Sequence, residues 1–294
     1  MSLPYRGEIL SIISAIAWAT AVILFRISGR KVAPLALNLF KSTLASLLLG
    51  LTAWLLAPAE SPQEVRLWGL LIVSGFFGIA LSDTLFFVGL NKLGASLTAI
   101  VECLYSPFVI SLSLIFLGET MKLRQIFGVS LILVAVMTIA WRGNEKRNSQ
   151  QLITGIVAGT GAMFFMALGI VMIKPLLVEV SILWAAGVRM ASGAIFLGLA
   201  MLFYPQRKRI MKPLLLIDNW GVMIIASLVG AYGGIIAWVA GMKFTAASIA
   251  APLNQLSTVF IFIFAVIFLK EKLTWVRFLA LIAAFAGAFL ASWA

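Results

Sequence analysis

The sequence predicts an all-α integral membrane protein whose ten transmembrane helices form two inverted five-helix repeats. Three observations lead there. Of 294 residues, 63% are hydrophobic and 11% charged, and the mean hydropathy is +1.11; a water-facing surface needs far more polar side chains. Apolar runs of roughly 20 residues, enough to cross a bilayer, follow one another along the chain. The chain also repeats itself. Residues 95–119, ASLTAIVECLYSPFVISLSLIFLGE, align without gaps on residues 247–271, ASIAAPLNQLSTVFIFIFAVIFLKE. Ala95, Ser96, Ala99, Leu104, Phe108, Ile115, Phe116, Leu117 and Glu119 meet identical residues at Ala247, Ser248, Ala251, Leu256, Phe260, Ile267, Phe268, Leu269 and Glu271. The same offset pairs Trp68 and Gly69 with Trp220 and Gly221, Gly78 with Gly230, Gly89 with Gly241, and Trp141 with Trp293.

In chain order, spans are expected over 7–25, 34–56, 67–90, 95–117, 123–141, 152–173, 181–203, 219–242, 246–269 and 274–293. The first apolar run begins near Gly7 with no basic stretch before it, so it reads as a span rather than a cleavable leader. The connections are short; the longest polar ones are 142–151 and 205–218. The first of these, RGNEKRNSQQ, lies between the copies. The repeats therefore run 1–143 and 152–294, with 144–151 as linker. Five is odd, so the second copy enters the membrane from the side opposite the first. A pseudo-two-fold axis then lies in the membrane plane, an arrangement that supports alternating access around a site near mid-depth.

The formal net charge of +12 reflects cations scattered among short gaps, which read as topology signals and not as a nucleic-acid surface. On the side of the first residue stand Arg6, Arg66, Lys122, Arg124, Lys174 and Lys243. The opposite side holds Arg26, Arg30, Lys31, Lys92, Arg142, Lys146, Arg147, Arg207, Lys208, Arg209, Lys212, Lys270, Lys272 and Arg277. That bias makes the second side cytoplasmic and puts both termini outside. Trp54, Trp68, Trp141, Trp184, Trp220, Trp275 and Trp293 fall near span ends, as an interfacial belt does. Gly155 with Gly159, and Gly230 with Gly234, have the spacing that lets helices approach closely. One cysteine, Cys103, and no histidine exclude an internal disulfide and argue against structural zinc; neither metal nor other cofactor is expected.

Four ionisable residues lie inside spans: Lys41, Asp83, Glu102 and Arg189. Each costs about 3 kcal/mol at mid-helix on insertion scales, so each is a functional candidate. At 1.5 Å per residue, Lys41, Asp83 and Glu102 all sit about 6 Å from mid-depth on the same side, close enough in level to form one network. Such a network could pin three helices together. Alternatively, Glu102 or Asp83 takes up and releases a proton as the cavity changes face, since apolar burial favours the neutral carboxyl and a nearby cation opposes it. Arg189 occupies the place in the second copy that Lys41 has in the first; either cation could pair with these acids or hold an anionic substrate. Glu102 aligns on Asn254, which Gln255 follows, so the two copies offer an acid and an amide to opposite sides of a ligand. Asn38 is one turn from Lys41 on the same face. Trp18, Tyr105, Tyr232 and Trp238 are aromatics placed to line a cavity. Pro107 and Pro252 interrupt helical bonding and are hinge candidates. Glu119 and Glu271 fall at helix ends beside cations and read as surface pairs or caps.

Ten spans, two five-helix repeats, a basic residue in the second span, and a fourth span running from Pro107 to Leu117, Gly118 and Glu119 resemble the EamA family of the drug/metabolite transporter superfamily. The second copy carries the looser Leu269, Lys270, Glu271, with Val259 in the proline's place and Pro252 upstream. The resemblance covers essentially the whole chain. It implies secondary transport, usually export, of small metabolites such as amino acids through a central cavity between the repeats. It also implies both termini in the cytoplasm, the reverse of the charge count. A bacterial inner-membrane protein, monomer or homodimer, with a small-molecule substrate and the lipid bilayer as partners, is expected. The other transport reading is an antiporter of anionic, phosphorylated metabolites held by Lys41 and Arg189, although a phosphate wants more donors than one base per repeat. The usual catalytic sets are missing, so no enzyme is expected; a non-transporting intramembrane scaffold would not need four buried charges.

Overall fold

The computed structural model describes residues 5–62, 64–117, 123–142, 149–216, 220–244, 247–272 and 274–292. Among them every regular element is helical. That follows from solvent: in lipid a backbone must satisfy its own polar groups, and a helix does so within one segment. The helices are α1 (Arg6–Ser28), α2 (Pro34–Leu56), α3 (Val65–Gly75), α4 (Ser82–Leu93), α5 (Ala95–Glu102), α6 (Tyr105–Leu117), α7 (Leu123–Arg142) and α8 (Ser149–Ile173). Then come α9 (Ile182–Phe203), α10 (Arg207–Leu215), α11 (Trp220–Ala226), α12 (Ile235–Phe244), α13 (Ala247–Leu269) and α14 (Trp275–Ser292). Seven segments are long and apolar enough to cross a membrane; three shorter apolar helices, Leu123–Thr138, Leu253–Leu269 and Trp275–Ala291, stand where the fifth, ninth and tenth spans are expected.

Three spans differ from the plain helices expected. Phe76–Leu81 is a stretch of wider π-helix joining α3 to α4, and Ser227–Gly234 is another joining α11 to α12. The two fall at matching places in the copies. The fourth span is broken outright: α5 ends at Glu102, Cys103 and Leu104 form a turn, and α6 starts at Tyr105. Pro107 sits in the first turn of α6, where its missing N–H costs nothing. In the second copy α13 runs unbroken through Pro252. The connection 205–218, expected as a polar loop, contains α10.

The copies interlock reciprocally. α1 packs against α12 and α13, while α8 packs against α4 and α6; α2 pairs with α9, and α7 with α14. Missing side chains permit these approaches. A Cβ on Gly89 of α4 would stand 3.2 Å from the Gly155 carbonyl of α8, and one on Gly241 of α12 would stand 3.3 Å from the Gly7 carbonyl of α1. Gly128 and Gly287 bring α7 and α14 together so closely that a Cβ on either would lie 2.6 Å from the other's carbonyl oxygen. Gly155 and Gly159 thus act in packing, as their spacing suggests. Large apolar side chains on outer faces, such as Leu47, Ile115, Phe127 and Ile195, are exposed, as a lipid-facing surface requires.

The end of the bundle where α5 begins is sealed. Ala95 to Val101 are all buried. The Glu271 carboxylate, just past α13, accepts from the Ala95 N–H at 2.8 Å, the Ser96 N–H at 3.2 Å and the Ser96 hydroxyl. It caps the N-terminus of a helix in the other copy, matching both the charge and the unsatisfied N–H groups there. Gly94, at φ 78, adopts the left-handed backbone that starts α5, and a Cβ there would meet that carboxylate. Nearby, Arg26 Nη1 donates to the Asn91 carbonyl and side-chain oxygen at 3.1 and 3.2 Å. The cap read for Glu271 is present; Glu119 lies outside the described residues.

Candidate functional site

The irregular backbone surrounds one cavity of about 160 Å³. Gly78 and Ile79 reach it from the first π-segment, and Gly230, Ala231 and Gly234 from the second. Glu102 and Tyr105 flank the break between α5 and α6 and line it too. This is the expected place for non-helical backbone in a membrane protein, where it lines a cavity and not lipid. Trp18, Lys41, Asp83, Arg189, Trp238, Asn254, Gln255 and Ser257 add polar and aromatic lining.

Lys41 of α2 and Asp83 of α4 form a buried ion pair, the Nζ on Oδ2. The Lys41 nitrogen also lies 5.6 Å from the centre of the Phe87 ring. Their equal depth correctly brings these two together. The expected third member stands apart. Glu102 turns toward α1 and accepts from Trp18 Nε1 at 2.8 Å through Oε1. Its Oε2 is buried with no hydrogen-bond partner among the described residues. The Glu102 hydrogen bond runs to α1 and not to the pair, which depth alone does not reveal.

Arg189 of α9 is buried and lines the same cavity. Its guanidinium fits against Gly78, where a Cβ would sit 2.9 Å from an Nη atom. Its Nε has no hydrogen-bond partner among the described residues. The site therefore has one self-satisfied pair, Lys41 with Asp83, and two charged groups with unused capacity, Glu102 and Arg189.

Two residues expected at the cavity are placed elsewhere. Asn38, fully buried, donates through Nδ2 to the Ile79 carbonyl at 2.9 Å and to Thr84 Oγ1 at 3.0 Å, and accepts from Ser42. It ties α2 to the carbonyl side of the first π-segment; a one-turn spacing from Lys41 does not separate that duty from ligand contact. The Tyr232 hydroxyl is 2.9 Å from Thr52 Oγ1, bonding α2 to the second π-segment. Unforeseen wall residues are Ser14, Met163, Met166, Ile170 and Met190. Met163, Met166 and Ile170 share one helical face, a pattern present in the sequence but common to any packed helix.

A membrane-embedded helical bundle that closes two copies of a unit around a cavity with buried charges has the build of a membrane transporter. The EamA-like transporter family matches the chain twice, over residues 5–141 and 153–293. The chain belongs to that family, and is a multi-pass membrane transporter. One solved structure, titled only as the crystal structure of a protein, superposes with a TM-score of 0.66 at 15% identity, covering 97% of this chain and 96% of that one, and shares the fold. No curated protein matches the sequence.

Proposed function

We propose that the chain is a ten-span secondary transporter, built as two inverted five-helix repeats, that exports a small organic metabolite by alternating access around this cavity. Proton exchange at Glu102 would accompany the cycle. The observation that carries the reading is the unequal commitment of the four charges. Lys41 and Asp83 neutralise each other. Glu102 offers a free oxygen to the cavity and Arg189 a free N–H. An ionised Glu102 makes the set neutral overall and suits a zwitterion such as an amino acid, with ammonium toward Glu102 and carboxylate toward Arg189. A protonated Glu102 leaves one net positive charge. Loss of the proton to one side and its return from the other thus changes what the cavity holds.

The ion pair of Lys41 counts against the antiporter of phosphorylated metabolites, since it leaves Arg189 as the uncommitted base among the described lining residues. The test is the purified protein in liposomes, loaded with candidate metabolites found to accumulate in the medium of overexpressing cells. Flux of one solute that follows an imposed pH gradient supports the reading. Flux indifferent to pH removes Glu102 from the coupling, and no flux of any accumulated solute overturns export. The cation bias supports both termini outside, and we read the membrane as a bacterial inner membrane; reporter fusions at the two ends, active only on one side, test the orientation.

A further inference from the structure

Between α9 and α11 the chain returns to the bundle through α10, which has two unlike faces. Leu214 is buried, and Ile210 and Met211 pack against the core; the spacing puts all three on one side of a helix. Arg207, Lys208, Arg209 and Lys212 are exposed. The preceding helix sets their level. α9 presents Ile195, Leu199, Leu202 and Phe203 outward, Phe203 at 84% exposure, so its apolar stripe continues to its last residue. Half-exposed Tyr204 follows, and the cations begin three residues later. So short a connection spans no more than about 10 Å, which keeps the cluster within the headgroup layer.

Arg207 is already engaged, its Nη1 donating to the Leu202 carbonyl at 2.8 Å and closing α9. The side chains of Lys208, Arg209 and Lys212 make no hydrogen bond or ion pair among the described residues. The connection 205–218 holds a single acid, Asp218, which lies outside those residues. Three exposed cations without a counter-ion, fixed by an apolar face at the level of phosphodiesters, want anions from the bilayer itself. The arginine suits two oxygens of one phosphate, and the lysines act as point charges.

We propose that α10 is a binding site for anionic phospholipid headgroups of the surrounding membrane. Because α10 packs on α2 and α9, the helices bearing Lys41 and Arg189, bound lipid braces the two walls of the cavity at one end. The test uses the full chain in phosphatidylcholine vesicles with spin-labelled phosphatidylglycerol or spin-labelled phosphatidylcholine, reading the motionally restricted fraction. The wild type should favour the anionic label by at least about fivefold, on the scale expected of one surface cation, and lose that preference in high salt. The Lys208→Gln, Arg209→Gln, Lys212→Gln triple variant should bind both labels equally. A Lys208→Arg, Lys212→Arg variant should keep the preference, as should Lys270→Gln, Lys272→Gln, whose cations lie on the same side away from α10. A wild type without preference, or a triple variant that retains it, overturns the proposal. Equal loss in the Lys270 and Lys272 variant also overturns it, because the effect would then belong to general surface charge.

Discussion

At the residue scale, the four buried charges do different work, and substitution separates them. Removing one member of Lys41–Asp83 strands the other in a low-dielectric interior, a cost of about 3–5 kcal/mol. Asp83→Asn should therefore lower stability by that order, while Lys41→Met with Asp83→Leu together should recover most of it, since no lone charge remains. Cys103 provides the readout: it is the chain's one cysteine and is fully buried, so a thiol-reactive dye reports unfolding during a thermal ramp. Glu102 predicts the opposite pattern. It has one hydrogen bond, from Trp18, and Gln can still accept it. Glu102→Gln should leave the thermal midpoint within a degree or two, by about 1 kcal/mol or less, yet abolish the response of flux to a pH gradient. A large thermal loss in that variant would make Glu102 structural. Solute exchange across a liposome without a gradient should survive the change.

The interrupted elements explain where sequence reasoning stops. Hydropathy and length place helices within three residues of the observed ends, because lipid leaves the backbone so few choices. Nothing comparable marks the π-segments. Gly78 and Gly230 stand inside them, but Gly89, Gly155 and Gly241 stand inside ordinary helix, so a glycine in an apolar run does not say which it serves. Asn38 shows the same ambiguity from the polar side: its amide feeds the backbone of a π-segment, a tertiary partner invisible in one helix's pattern. The break after Glu102 was better signalled, by Pro107 just downstream. α10 is missed in the reading of 205–218 as a polar connection, because Ile210, Met211 and Leu214 recur at helical spacing over too short a stretch, and among too many cations, to register as a span.

The cap that Glu271 places on α5 belongs to this scale as well. Glu271→Ala should cost about 0.5–2 kcal/mol, the range for a lost N-cap. Amide exchange at Ala95 and Ser96 should accelerate while that of α2 stays unchanged. Unaltered exchange at those two amides would mean that the neighbouring packing of Ala95 to Val101, and not the carboxylate, holds the helix start. The close crossing of α7 and α14 offers a complementary test. Gly128→Leu would drive a side chain into the Gly287 carbonyl and the Ala291 backbone, so α7 and α14 must separate. The variant should lose about 1–3 kcal/mol or more by the same dye assay, the usual cost of overpacking.

For the whole molecule, the repeat in the sequence predicted two units, and the reciprocal packing shows how they join. Each copy buries the first helix of the other, so neither is a free-standing domain. Cells given only residues 1–143 should fail to accumulate that half. Cells given both halves from separate messages should yield a complex that survives detergent extraction and affinity capture by a tag on either piece. Capture of one half alone would argue that each half is self-sufficient.

That interlock imposes an order in time. Helix α1 is made first, but its partners α12 and α13 are made late; the end of α1 at Ser28 and the start of α13 at Ala247 are separated by most of the chain. At about 5–20 residues per second, α1 waits roughly 10–45 s after its synthesis before α12 and α13 exist. Helix α8 never waits, because α4 and α6 precede it. The face of α1 that finally meets the second copy bears Ser11 and Ser14, beside Gly7. During biogenesis that face is a polar stripe with no permanent cover, and the ribosome's pace, more than any equilibrium, sets how long the insertion machinery must shelter it.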